Sequence, residues 1–308
     1  MSVWVTGGNG FIGRHLIAHL AREGERVYGI GHGAIDETDR RKLGLSDWIN
    51  GEISAPNLDG LVERGGAPGA IFHLAGGSSV ARSIEQPYED FSRTVGATAS
   101  LLEWLRYSAR ECRLVVASSA AVYGAHHACA ISEQASTQPM SPYGHHKLIM
   151  EQLCRSYADS FGIRVTIVRL FSVYGPSLRK QLLWDLCVRL GQGQRELMLG
   201  GTGNETRDWI DVRDVVRLLA RLQHGDSTPL KVLNGGSGIP TSVAEIAQIV
   251  TNAWGGNIAV RFSGIVRAGD PFSLVADAGQ LAVLPFNWRI PVHDGIAQYV
   301  SWFKGQSH

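Results

Sequence analysis

VTGGNGFIGRHL, Val5 to Leu16, joins the apolar run SVWV to the helical pattern RHLIAHLAREG. Gly8, Gly10 and Gly13 fit G-x-G-x-x-G. That pattern is weak alone, but directly after a strand and at the opening of a helix it is a dinucleotide-binding turn. The glycines let the backbone approach a pyrophosphate, whose charge meets the N–H groups and the positive end of the helix. A nicotinamide cofactor is the expected occupant. The acidic residue expected about 20 positions on, which would bind the adenosine ribose, is missing, because the second strand ends Gly31, His32, Gly33. NADP therefore stays open beside NAD. His32, Arg40 and Arg41 are within sequence reach of a 2'-phosphate, with a solvated loop as their alternative role.

Outward from this turn, VWVTG, RVYGIG, AIFHLAG, LVVASS and VTIVRL alternate with segments such as ASLLEWLRYSAR. Short apolar strands separated by helical patterns specify an α/β fold, a Rossmann-like doubly wound parallel sheet covered on both faces. After Tyr174 the rhythm loosens into helical patterns, one opened by a capping box of Ser242 and Glu245. The expected organisation is a dinucleotide-binding domain over 1–171 with return segments near 208–236. A smaller C-terminal substrate-binding lobe is expected over 172–207 and 237–308.

With 308 residues and 44 % hydrophobic content the chain can bury a sizeable core. A net charge of +1 without basic runs argues against a nucleic-acid partner. Cys112, Cys129, Cys154 and Cys187 are scattered, which fits reduced thiols better than a disulfide framework. A strand-like start at Ser2 leaves no room for a signal peptide, and no apolar run reaches membrane-span length. A soluble, cytoplasmic protein is expected. No metal site is expected, since His126, His127, His145 and His146 come as adjacent pairs without a carboxylate or Cys frame.

SPYGHHK, Ser141 to Lys147, sets a tyrosine one helical turn ahead of a lysine, with Ser141 and Pro142 as a plausible helix start. A nearby ammonium and the helix N-terminus would both lower the phenol pKa. Alone, the pair reads equally as a solvated helix face. SSAAVYG, Ser118 to Gly124, ends the LVVASS strand, where a parallel sheet delivers its active-site residues.

Together with HLAG at His73, FSVYGP at Phe171, TRDWIDVRD at Thr206 and RAGD at Arg267, these motifs make nearly the whole chain resemble one family. It is the extended short-chain dehydrogenase/reductase family, in its NAD-dependent epimerase/dehydratase branch acting on nucleotide sugars. The resemblance implies catalytic Ser119, Tyr143 and Lys147: Ser119 bonds the reacting sugar oxygen, Tyr143 moves its proton, and Lys147 holds the cofactor ribose. It implies cofactor contacts from Gly7, Gly10, Phe11, Ile12, Gly13, His32, Glu52, Ile53, Leu74 and Ala75, with Tyr143 and Lys147. It implies substrate contacts from Ser78, Ser79, Ser119, Ser172, Arg207, Arg267 and Asp270, the arginines on the diphosphate and Asp270 near the nucleotide ribose. Ser172 and Thr94 each stand where the family often has Asn. A homodimer is also implied, through helices around Phe91 to Arg106 and Tyr143 to Phe161.

The family's dehydratases usually carry an acid/base pair directly after the catalytic Ser or Thr; here those positions are Ala120 and Ala121. Methyl groups cannot shuttle protons. The chemistry implied is hydride and proton transfer at one carbinol, in a nucleotide-sugar 4-epimerase with bound NAD or NADP. An NADPH-dependent 4-ketohexose reductase is the alternative, and a cofactor-binding sensor without catalysis is a third reading.

Overall fold

The computed structural model describes residues 2–127, 129–224, 228–265 and 271–306. The chain begins with β1 (Ser2–Thr6), α1 (Phe11–Arg22), β2 (Arg26–Gly31), α2 (Glu37–Leu43), β3 (Leu45–Asn50), α3 (Ala55–Gly65) and β4 (Pro68–His73). It continues through α4 (Val80–Glu85), α5 (Pro87–Phe91), a π-helical turn (Ser92–Gly96), α6 (Ala97–Ser108), β5 (Arg113–Ser119), a 3-10 turn (Ala120–Val122), α7 (Pro142–Phe161) and β6 (Arg164–Leu170). There follow β7 (Ser172–Tyr174), α8 (Gln181–Gly191), β8 (Glu196–Leu199), β9 (Thr206–Asp211), α9 (Val212–Leu222), β10 (Leu230–Gly235) and β11 (Pro240–Ser242). The last elements are α10 (Val243–Trp254), β12 (Ala259–Phe262), β13 (Ser273–Leu274), α11 (Gly279–Ala282) and α12 (Val292–Lys304).

Seven strands form one sheet in the order β10-β6-β5-β4-β1-β2-β3. The pairings from β3 across to β6 are parallel. Trp4, Val5, Ile71, Phe72, Leu114, Val115 and Val116 are fully buried, as strands covered by helices on both faces must be. Trp4 packs on Trp104 of α6 with ring centroids 5.3 Å apart. Strand order reverses between β1 and β4, and a doubly wound sheet binds its ligand beyond the carboxyl ends at that point. The expected α/β fold is the one observed.

Local signals set the helix ends. Ser141 Oγ accepts from Gly144 N at 3.2 Å, Pro142 occupies the first turn of α7, and Gly162 closes it in the left-handed conformation. Ser242 and Glu245 form the expected capping box on α10. The cysteines are free, three buried and Cys129 exposed. Among the described residues no helix is long and apolar enough to cross a membrane.

Two compact units divide the chain. One comprises Met1–Gly124, Ser136–Leu170 and Val216–Leu233; the other comprises Ala125–Ala135, Phe171–Val215 and Asn234–His308. The 125–135 segment, expected in the first domain, belongs to the second unit, where Ile131 bridges Ala276 and its carbonyl accepts from Asn234 Nδ2 at 2.7 Å. Within that unit, the acids of TRDWIDVRD tie the backbone together. Asp208 is fully buried and accepts from Ser237 N, Gly238 N and Ser237 Oγ at 2.6–2.9 Å, and Asp214 accepts from Arg289 N and Ile290 N.

Candidate active site

The glycine turn is built by steric necessity. Gly7 has φ +66°, and a Cβ there would lie 2.7 Å from Ala75 N, so β1 hands over to α1 hard against Leu74 and Ala75. A Cβ on Gly13 would meet Gly7 O at 2.4 Å. Gly10 caps α1 without a side chain, leaving the first-turn N–H groups facing a backbone-lined cradle that suits a pyrophosphate. Phe11 and Ile12 form that first turn.

Past the end of β2, His32 is exposed and its carbonyl accepts from Asn9 Nδ2 at 3.4 Å. Trp48 Nε1 donates to Gly33 O at 3.0 Å. Gly51 N donates to Gly31 O, bringing exposed Glu52 and buried Ile53 beside the end of β2. The cations considered for a 2'-phosphate are paired with acids: Arg40 with Glu37 and Asp47, and Arg41 with Glu37.

Ser119 ends β5, and its Oγ accepts from Ala121 N at 3.2 Å. The 3-10 turn that follows packs on the first turn of α7 so closely that a Cβ on Gly144 would lie 2.7 Å from Ala121 O. This contact brings Tyr143 beside Ser119, whose hydroxyl acts on the phenol. Tyr143 N donates to Ser83 Oγ at 3.0 Å. Lys147, one turn on, is buried; its Nζ donates to Ala117 O at 2.9 Å and lies 6.0 Å from the Tyr143 ring centre. Ser119, Tyr143 and Lys147 thus meet at the carboxyl end of the sheet.

Burial pushes the Tyr143 phenol above its ordinary value; the nearby Ser119 hydroxyl opposes this and the Asp90 carboxylate adds to it. The lowering expected from Lys147 is not the net result, because the ammonium is turned to a backbone carbonyl while the phenol is desolvated. Burial likewise pulls Lys147 down to about 8, against the charges of Asp90 and Glu151.

His73 and Thr94, flagged in the sequence through their motifs, and Asp90, which the sequence gives no reason to single out, lie around Lys147. His73 is fully buried, with Nδ1 2.8 Å from Thr6 Oγ1 and Nε2 2.9 Å from Thr98 Oγ1. Thr94, on the π-helical turn, accepts from Gly77 N at 2.8 Å. A π turn inside a helix often marks a functional site. Asp90 pairs with His146, so one of the paired histidines does have a carboxylate partner.

Ser78 is exposed on the loop after β4, and Ser79 caps α4 by accepting from Arg82 N. Ser172 and Arg207 lie in the second unit: Ser172 pairs with Trp209 in the sheet register, and Arg207 Nη1 donates to Thr206 O at 2.8 Å. Arg267 and Asp270 lie outside the described residues.

Residues 3–234 match the NAD dependent epimerase/dehydratase family. The chain is 30 % identical to a UDP-glucose 4-epimerase of Streptomyces lividans over 292 residues, covering 89 % of this chain and 87 % of that one. Its fold is similar to that of MoeE5 in complex with UDP-glucuronic acid and NAD, with a TM-score of 0.87, 31 % identity and 99 % of each chain covered. It is also similar to UDP-glucuronic acid 4-epimerase from Bacillus cereus in complex with UDP-glucuronic acid and NAD, with a TM-score of 0.86, 27 % identity and 99 % of each chain covered.

Proposed function

Because the chain belongs to the NAD-dependent epimerase/dehydratase family, we propose that it is a nucleotide-sugar 4-epimerase working with bound NAD. The observation that carries this reading is the convergence of Ser119, Tyr143 and buried Lys147 at the end of β5 and the start of α7, with two alanines following Ser119. When bound, the dinucleotide supplies reversible hydride acceptance. Tyr143 takes the proton of the sugar C4 hydroxyl as that carbon is oxidised, and returns it when the carbon is reduced from the other face. Ser119 donates to the same oxygen, and the Lys147 ammonium favours the phenolate form of Tyr143. Ala120 and Ala121 offer no group to move protons at carbons 5 and 6, which disfavours dehydration.

The glycine cradle of Gly7, Gly10 and Gly13 with Phe11 and Ile12 would hold the pyrophosphate, Leu74 and Ala75 the nicotinamide half, and His32, Glu52 and Ile53 the adenosine half. NAD is favoured over NADP by the family and by the acids already paired with Arg40 and Arg41. The substrates named for the relatives support a UDP-sugar. The substrate contacts that the resemblance implies are Ser78, Ser79, Ser119 and Ser172, with Arg207 and Arg267 for the diphosphate and Asp270 for the nucleotide ribose. The same reading carries a cytoplasmic homodimer; exposed Phe91, Tyr107 and Ile149 on α5, α6 and α7 support the helical interface.

Incubation with a panel of UDP-, dTDP- and GDP-sugars, followed by product NMR, tests the reading. Interconversion of C4 epimers of at least one nucleotide sugar is expected. Loss of the C6 hydroxyl as water would identify a dehydratase instead.

A further inference from the structure

Asp90 sits in α5, a five-residue helix, and is 5 % exposed. A buried carboxylate is costly unless hydrogen bonds and charge meet it. His146 of α7 meets one oxygen, with Nδ1 2.6 Å from Oδ2 and the imidazole edge-on to Phe91. The other oxygen presses on the loop after β4: a Cβ built on Gly77 would lie 1.7 Å from Oδ1, so only glycine fits. The preceding residue, Gly76, has φ +139° and backs onto Lys147, whose Nζ would lie 3.4 Å from a Cβ there. Carboxylate and ammonium therefore flank two consecutive glycines. Gly77 N is fixed in turn by Thr94 Oγ1.

We infer that Asp90, held by His146, is a positioning residue of the Tyr143–Lys147 pair: its carboxylate clamps the Gly76–Gly77 turn against α7 and sets a negative charge across that turn from the Lys147 ammonium. The inference rests on the acid–base reading of those two residues. The groups acting on Lys147 and Tyr143 are Asp90 from α5, Glu151 and Cys154 from α7 itself, Ser119 from β5, and His73 of β4, which faces Lys147 in neutral form. Among the described charges, Asp90 acts on both members of the pair, raising the proton affinity of Lys147 against burial and of Tyr143 beside it. Removing it should move both groups in one direction, toward lower pH, which a purely structural tether would not do.

The phenolate difference absorbance of the enzyme minus that of Tyr143→Phe titrates Tyr143 without requiring turnover. The same subtraction is made on an Asp90→Asn background, which keeps the shape and removes the charge. The Tyr143 transition is expected to fall by about half a pH unit or more, with the alkaline limb of kcat moving the same way. An unchanged transition overturns the inference, even if the rate falls. Should Asp90→Asn fail to fold, Asp90→Ala, which relieves the contact with Gly77, gives the same comparison. A shifted transition in an enzyme that epimerises no sugar would refute the functional reading and leave this one standing.

Discussion

Arg169 grips Glu151 with two prongs behind the catalytic face: Nη2 lies 2.7 Å from Oε2 and Nε 3.0 Å from Oε1, with both side chains 7 % exposed. Ser118 Oγ donates to the same carboxylate, and Arg169 Nη1 donates to Tyr123 OH at 3.0 Å. The network ties β5, β6 and α7 together beneath Ser119 and Lys147. Arg169→Met leaves a buried carboxylate without its counter-ion and is expected to cost about 3–5 kcal/mol in urea unfolding. Adding Glu151→Leu to that variant should restore most of the loss, since the penalty belongs to the orphaned charge. A single-variant loss under about 1 kcal/mol would contradict a buried, desolvated pair.

Tyr143→Phe removes one hydroxyl and leaves the ring. Turnover is expected to fall by about 10²-fold to 10⁴-fold, the usual worth of a positioned acid–base group, with NAD affinity nearly unchanged. Calorimetric titration beside the activity assay separates the two quantities. Activity within a few-fold of the unmodified enzyme would remove Tyr143 from the chemistry.

Gly144→Ala tests how Tyr143 reaches Ser119. The added methyl would lie 2.7 Å from Ala121 O and 2.8 Å from Pro139 Cβ, so the first turn of α7 must lift off the 3-10 turn. A displacement of about 1 Å can cost about 10²-fold in rate. A fall in kcat with little change in KM is expected; an unchanged kcat would mean that the two turns separate without disturbing the pair.

His73 links the fold to acid stability. Burial, with the Lys147 charge adding to it, holds this imidazole at about 3, below its ordinary 6.5. Between those values the unfolded chain binds a proton that the native chain refuses. Stability therefore rises with pH across that window; the contribution is complete above 6.5 and is lost as pH falls toward 3. His73→Gln, polar but not titrating, should flatten the slope of unfolding free energy against pH by up to about 1.4 kcal/mol per unit. Identical slopes for the two proteins would contradict a neutral buried His73.

Much of this was legible in the sequence because its causes are local. The glycine turn follows from backbone sterics, the α7 cap from Ser141 and Pro142, and the parallel sheet from apolar strands at regular spacing. Ser119, Tyr143 and Lys147 are readable from spacing and resemblance together. Asp90 and His146 are not: 56 positions separate them, and nothing in the adjacent pair 145–146 announces a carboxylate partner until the fold lays α5 on α7. The direction of the Tyr143 shift was hidden for the same reason, since Lys147 is visible at one turn's distance whereas burial is a property of the tertiary structure. The 125–135 segment joins the second unit through Ala276 and Asn234, more than a hundred positions away, and no local pattern announces that.

The most direct test of the central claim is the cofactor balance during turnover. An epimerase restores its dinucleotide in every cycle, whereas a reductase exchanges it. With NAD well below substrate concentration, the enzyme should bring the C4 epimers of a UDP-sugar to equilibrium without net change in reduced-nicotinamide absorbance. Stoichiometric NADPH consumption with a 4-keto sugar, and no interconversion of any fully hydroxylated nucleotide sugar, would contradict the account.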